Sequence, residues 1–263
     1  MGSATRGALA GTRAELAALG RAELPVAGDL LAATRVIAQT PHLRTALTDN
    51  EAEPAQKRAL LERVFGGRVA PEAVALLASA ASQRWSSAAD FLDGLEELGL
   101  RVAADAAGDA EVDAELYAFQ RTVASDAELE LALGSKLGST DAKVKLVDRL
   151  LGPVASPATV LVVRHLVQSP RGRRIGGMLR EAASVVADQR GFDVATVTSA
   201  VPLGADQIAR LEQTLGARAG RRIRFDSIVD PSVLGGVRVQ VGDDVIDGSV
   251  ASRLNDLRQK LAG

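Results

Sequence analysis

Between Val229 and Val250 the chain changes its hydrophobic period twice, and no other stretch restricts the fold so tightly. Valines at 237, 239 and 241 alternate as on a strand with one buried face. Gly242-Asp243-Asp244 then supplies residues that tolerate a tight reversal, and Val245-Ile246 begins the return strand of a β-hairpin. Ser249 follows as the N-cap of a helix whose apolar positions Val250, Leu254, Leu257 and Leu261 recur at three- and four-residue spacing, with Arg253, Arg258 and Lys260 off that stripe.

Upstream, Val194–Ala200 reads as a strand, Ala205–Ala217 as a helix and Arg222–Ile228 as a second strand, which makes residues 191–263 a small C-terminal α/β domain. Everything before about Gly191 carries helix signal. Pro25 opens a helix with Val26, Leu30, Ala33 and Ile37 on one stripe, and Pro71 opens another with Val74, Leu77, Ala78 and Ala81. Ser87 and Asp90 have capping-box spacing ahead of Phe91, Leu92, Leu95 and Leu98. Only 3% of the residues are aromatic, so Leu, Val and Ala must fill the helical core. The fold class is mainly α, an N-terminal helical bundle followed by the small α/β domain.

The helical part repeats. A shift of 86 residues pairs Leu43 with Leu129, Leu47 with Leu133, Lys57 with Lys143, Leu60 with Leu146, Gly66 with Gly152, Pro71 with Pro157 and Val74 with Val160, without a gap. A duplicated piece of bundle is the simplest cause. Residues 1–105 are then the first bundle and 106–190 an inserted second segment, with Leu60 and Leu146 expected at equivalent core positions. The repeat also decides Thr159–Val163, which is β-branched and strand-like by itself. Its counterpart Ala73–Leu77 reads as helix, and Ser156-Pro157 is a cap followed by a first-turn proline, so helix is expected.

Composition excludes several functions. Lys+Arg 31 against Asp+Glu 33 gives a formal charge of −2, with no global field for nucleic acid or anionic lipid. There is no cysteine, and the two histidines, His42 and His165, cannot build a histidine-rich metal site. No segment is long and apolar enough to span a bilayer, and Arg13 and Glu15 interrupt the N-terminal apolar run. The expectation is a cytoplasmic protein that meets a membrane only through partners.

Individual residues mostly take plain roles. Asp230, Asp243, Asp244 and Asp247 lack EF-hand spacing and suit turns. Gly235-Gly236 and Gly176-Gly177 match no phosphate loop, so no cofactor, metal or catalytic residue is expected. The clusters Arg171, Arg173, Arg174 and Arg218, Arg221, Arg222, Arg224 read as a solvated face or as a contact for a partner's acidic surface. His165 is a packing residue, His42 stands at a helix start, and Trp85 anchors either the bundle or a partner.

Three motifs occur in a telling order: Ser199-Ala200-Val201-Pro202-Leu203, Asp230-Pro231-Ser232-Val233-Leu234-Gly235-Gly236, and Ile246-Asp247-Gly248-Ser249. Together they closely resemble the C-terminal signature of the delta subunit of F-type ATP synthases, the bacterial counterpart of the mitochondrial oligomycin-sensitivity-conferring protein. Removing 86 of the 263 residues leaves 177, close to that family's ordinary size. The resemblance implies a non-catalytic stator subunit at the cytoplasmic face of the bacterial plasma membrane. Its bundle would hold the N-terminal segments of α subunits, and its C-terminal domain would join the b-subunit stalk. The α-subunit groove would lie between the first and fifth helices, at Ala8, Leu9, Thr12, Leu16, Val74, Leu77, Ala78 and Ala81. A general helical adaptor in another membrane-associated complex is the alternative, and it leaves the C-terminal motifs unexplained.

Overall fold

In a computed structural model the described residues are 2–135, 138–219, 222–233, 235–241 and 244–247. They form two compact units, residues 1–186 and 187–263, and the division falls in the last turn of a helix.

The first unit is helical. Its elements are α1 (Ser3–Leu19), α2 (Leu24–Gln39), α3 (Pro41–Thr48), α4 (Pro54–Phe65), α5 (Pro71–Ser82), α6 (Ala88–Ala106), α7 (Val112–Ser125), α8 (Ala127–Gly134), α9 (Thr140–Leu151), α10 (Pro157–Gln168) and α11 (Ile175–Gln189). Prolines stand in the first turn of α2, α3, α4, α5 and α10, where the missing N–H would have had no partner. Ser87 Oγ accepts from Asp90 N–H at the start of α6, Ser139 Oγ from Ala142 N–H at α9, and Ser156 Oγ from Thr159 N–H at α10. Thr159–Val163 is helical, inside α10.

Shifted by 86 residues, α3, α4 and α5 coincide end to end with α8, α9 and α10. Shifted equally, α1 falls on α6, and α6 falls on α11. A six-helix pattern therefore runs twice, with α6 serving as the last helix of one copy and the first of the next. Packing repeats as well: α1 meets α5 as α6 meets α10, α2 meets α5 as α7 meets α10, and α4 meets α5 as α9 meets α10. Even a side-chain tie recurs. Asp29 of α2 accepts from the Ala70 N–H before α5, 2.7 Å away, and Glu115 of α7 accepts from the Ser156 N–H before α10, 3.0 Å away.

Leu60 and Leu146 occupy like environments, but both are half-buried. The core positions are one residue further on, where Leu61 and Val147 are 0% exposed. Urea unfolding should therefore show a loss of about 2–5 kcal/mol for Leu61→Ala, and smaller, matching losses of roughly 1 kcal/mol for Leu60→Ala and Leu146→Ala. A larger loss at Leu60 than at Leu61 would contradict this packing.

The second unit holds β1 (Phe192–Ser199), α12 (Ala205–Ala219), β2 (Arg222–Val229), β3 (Val237–Val241) and β4 (Asp244–Asp247). The sheet order is β2-β1-β3-β4, with β1 parallel to β2 across the α12 connection and the other pairs antiparallel. Ala195, Val197, Ile223 and Val239 form its core, with Leu203, Leu211 and Phe225 packed against them. The expected hairpin is β3–β4. Its reversal at Gly242-Asp243 and the helix expected from Ser249 lie outside the described residues.

Candidate partner-binding surfaces

All eight residues assigned to a groove lie in the bundle interior: Ala8, Leu9, Thr12 and Leu16 of α1 are at most 7% exposed, and Val74, Leu77, Ala78 and Ala81 of α5 at most 8%. Helices α1 and α5 pack against each other, and these residues belong to the buried faces of the two helices. Outside these buried faces, Gly7, Ala10, Ala14 and Ala17 of α1 are exposed and Ala75 and Ser79 of α5 half-buried. An aspartate at Leu9 would put a charge into the core and unfold α1 before it could probe any surface. The position of α1 is fixed by Thr5 Oγ1 donating to Asp90 Oδ2 over 2.9 Å and by Arg13, whose Nε and Nη2 reach Glu97 Oε1 at 2.9 and 2.7 Å.

Trp85 anchors the bundle. Its Nε1–H donates to the Ala80 carbonyl at 2.8 Å, its ring meets Phe91 edge-on at 5.8 Å, and only 7% of the residue is exposed. The residue beneath the ring must be glycine, since a Cβ at Gly94 would stand 2.1 Å from Trp85 Cη2.

A polar cluster that the sequence reading missed joins the two copies. Glu96 of α6 accepts from both terminal nitrogens of Arg173, at 2.7 and 2.9 Å, and its Oε2 stands 3.1 Å from His165 Nε2 and 2.9 Å from Arg171 Nη2. Arg171 also pairs with Asp93, and Arg173 with Glu181. Arg171 (φ 46°) and Gly172 (φ 80°) take left-handed backbone in the loop between α10 and α11, which brings both arginines to one carboxylate. The arginines at 171 and 173 are therefore internal clasps, not a solvated face.

On the far side of the ring, Arg35 of α2 points Nη1 at His165 Nδ1 over 3.0 Å. A guanidinium can only donate, so Nδ1 accepts and the imidazole carries its proton on Nε2, toward Glu96. Burial pulls His165 below its ordinary 6.5, against the pull of Glu96. Burial alone would raise Glu96, but the hydrogen bonds from His165 and Arg173 and the charge of Arg171 hold it at about 2, against an ordinary 4.5.

The sign of the pH dependence follows. Below about 6.5 an unfolded chain protonates His165 more readily than the folded one, and below about 4.5 it protonates Glu96 more readily, so both groups withdraw stability as pH falls. Glu181, raised by burial, works weakly the other way. The Glu96 contribution is about 3 kcal/mol, lost between roughly pH 4.5 and 2. Thermal melts from pH 7 downward should show this fall, and Glu96→Gln should flatten its lower part. Unchanged acid sensitivity in Glu96→Gln would remove Glu96 from the account.

In the C-terminal unit the motif residues build one end of the sheet. Ser199, at the end of β1, is buried; its Oγ donates to the Val201 carbonyl at 2.7 Å, and its own carbonyl accepts from Asp230 N–H at 2.8 Å. Pro202 lies in the loop that this contact pins. Asp230 Oδ1 accepts from Ser232 N–H at 2.9 Å, the side-chain turn expected of aspartate before Pro231, and hydrogen bonding by the Ser232 hydroxyl and then by its N–H lowers the pKa of Asp230. Gly235 and Gly236 take φ 63° and 87°, which other residues would resist. Asp247 pairs in register with Arg238, while Gly248 and Ser249 lie outside the described residues. Beside this end Val201 is 65% exposed and Val229 48%. Arg222, exposed, and Arg224, half-buried, stack over Phe192, 4.5 and 4.8 Å from the ring centre, so both have a partner within their own unit. Arg221 and the Arg218 side chain lie outside the described residues.

Among the described residues there is no group of three side chains fit to hold a metal ion, and no helix long and apolar enough to cross a membrane.

The family model for the ATP synthase delta (OSCP) subunit matches residues 100–261. That span takes in most of the second helical copy and the C-terminal unit and leaves residues 1–99 outside it. A Leifsonia xyli protein named ATP synthase subunit delta is 52% identical over the full length of both chains. A Streptomyces coelicolor protein of the same name is 40% identical, covering 100% of this chain and 98% of its own. Both alignments run through the two copies. A chain of the Toxoplasma gondii mitochondrial ATP synthase hexamer aligns with 81% of this chain and 99% of its own length at 20% identity, with a TM-score of 0.40.

Proposed function

Because the chain belongs to the ATP synthase delta (OSCP) subunit family, and so is a non-catalytic subunit of the enzyme's peripheral stalk, we propose that it ties the α subunits of the catalytic head to the b-subunit stalk at the cytoplasmic face of the membrane. Its task is mechanical. A stator resists torque, which calls for large, multivalent, slowly dissociating contacts and no reaction centre. In this reading the seam of α1 and α5 takes the N-terminal helix of an α subunit. What supports it is the run of small exposed residues Gly7, Ala10, Ala14 and Ala17, over which a second helix can approach closely.

The b stalk is assigned to the C-terminal unit, at the sheet end where Val201 and Val229 stand exposed beside the Ser199–Asp230 tie. The observation that carries the division of labour is the separation of the chain into two compact units, each with its own core. Surface variants test it. Ala10→Arg should weaken binding of an α-subunit N-terminal peptide by at least about tenfold and leave b capture unchanged, and Val201→Asp should do the reverse. Circular dichroism should match the parent for both, since both residues are exposed. If either variant, still folded, weakened both partners equally, the division would be wrong.

A further inference from the structure

The duplication creates two seams of the same kind, α1–α5 and its repeat counterpart α6–α10. They are not equally open. Helix α2 lies against both α6 and α10. Its Leu31 fills the space over Gly99, where a Cβ would stand 2.5 Å from Leu31 Cδ2. A Cβ on its Gly28 would stand 3.7 Å from Leu161 Cδ1 of α10, and its Arg35 holds His165 of α10.

The repeat sets the residues of the second seam against those of the first. Leu92, Glu96, Gly99, Leu100 and Ala103 of α6 are all buried, and their counterparts on α1, Arg6, Ala10, Arg13, Ala14 and Ala17, are all exposed. Leu161 and His165 of α10 correspond to Ala75 and Ser79 of α5, which are half-buried. The helix that covers the second seam has no equivalent among the described residues on the first.

We infer that the α6–α10 seam is a helix-docking groove filled in cis by the chain's own α2, so that the duplication adds no second docking site and the protein takes one partner helix, on α1–α5. The inference rests on the proposed α-subunit docking, and it adds the stoichiometry and the reason for it. The residue differences between the copies fit this assignment. Where the first seam has Ala10 and Ser79, the second has Glu96 and His165, which with Arg35 fasten α2 by hydrogen bonds. Breaking that clasp would leave buried polar groups unpaired, which makes displacement of α2 by an incoming helix costly.

The test is a calorimetric titration of the full chain with the synthetic N-terminal segment of the α subunit, with two companion variants. The parent should bind one peptide, and Ala10→Arg/Ser79→Arg, with unchanged circular dichroism, should bind none. The second variant, Gly28→Cys/Leu161→Cys, exploits the absence of native cysteines: a short bis-thiol cross-linker should join α2 to α10 in the free protein and leave the one-site isotherm intact. Two sites on the parent, one site surviving Ala10→Arg/Ser79→Arg, or failure of the α2–α10 cross-link would each overturn the inference. Absence of peptide binding together with efficient cross-linking would instead defeat the α-subunit docking reading and leave α2 in its groove.

Discussion

Replacing Glu96 by alanine is expected to destabilise the helical unit by about 3–5 kcal/mol, more than any surface change in the molecule. The carboxylate faces Arg171, Arg173 and His165 at once, and its removal leaves two guanidinium groups and an imidazole without their shared acceptor. Asp93 and Glu181 stay within reach of the arginines, which places the loss toward the lower end of that range. Arg164→Ala is the control. It breaks the ion pair with Asp148, whose two side chains are 44% and 38% exposed, and should cost less than about 1 kcal/mol. Comparable losses for Glu96→Ala and Arg164→Ala in urea would mean that the cluster is not a structural clasp.

Truncation after Val186 should leave a folded helical unit that binds the α-subunit peptide with near-parental affinity and captures no b stalk. The cut removes the whole sheet and its core. In membranes assembled with the truncated chain, ATP hydrolysis by the head should continue while ATP-driven proton pumping is lost, because torque without a bridge to the stalk dissipates as slippage. Capture of b by the truncated chain would overturn the assignment of the stalk to the C-terminal unit. Loss of peptide binding by a chain that keeps its helicity would overturn the independence of the two sites.

Much of this architecture was legible in the residues because its determinants are local. Pro71 and Pro157 start α5 and α10, Ser87 and Ser156 cap α6 and α10, and the alternation of Val237, Val239 and Val241 gives β3. The repeat carried the least obvious assignment, that of Thr159–Val163, since a β-branched run leaves strand and helix undecided until its counterpart is helical. An offset, however, counts copies without saying which is the addition; the family model runs over 100–261, which takes in most of the second helical copy and the C-terminal unit.

The polar cluster was not legible, because its members are far apart in sequence; Glu96 and His165 are separated by 69 residues and Glu96 and Arg173 by 77. One signal was there. Charged or titratable residues in the second copy stand where the first has Ala10 and Ser79, and a repeat that breaks at two positions which meet in space marks a contact belonging to one copy alone. The residues assigned to the groove are buried ones, since an apolar stripe at helical spacing identifies the face a helix buries and not the one it offers. The stacking of Arg222 and Arg224 on Phe192 depends on the parallel register of β1 and β2, which no local pattern specifies.

The bridging role itself is tested most directly by mixing purified catalytic head, the soluble part of the b subunit and this chain, and weighing the products by size-exclusion chromatography with light scattering. Head and b alone should elute separately. With the chain added, a single species containing all three should form, and chains cut after Val186 should shift the head without b. Recovery of head and b in separate peaks in the presence of the folded chain would contradict the stator account.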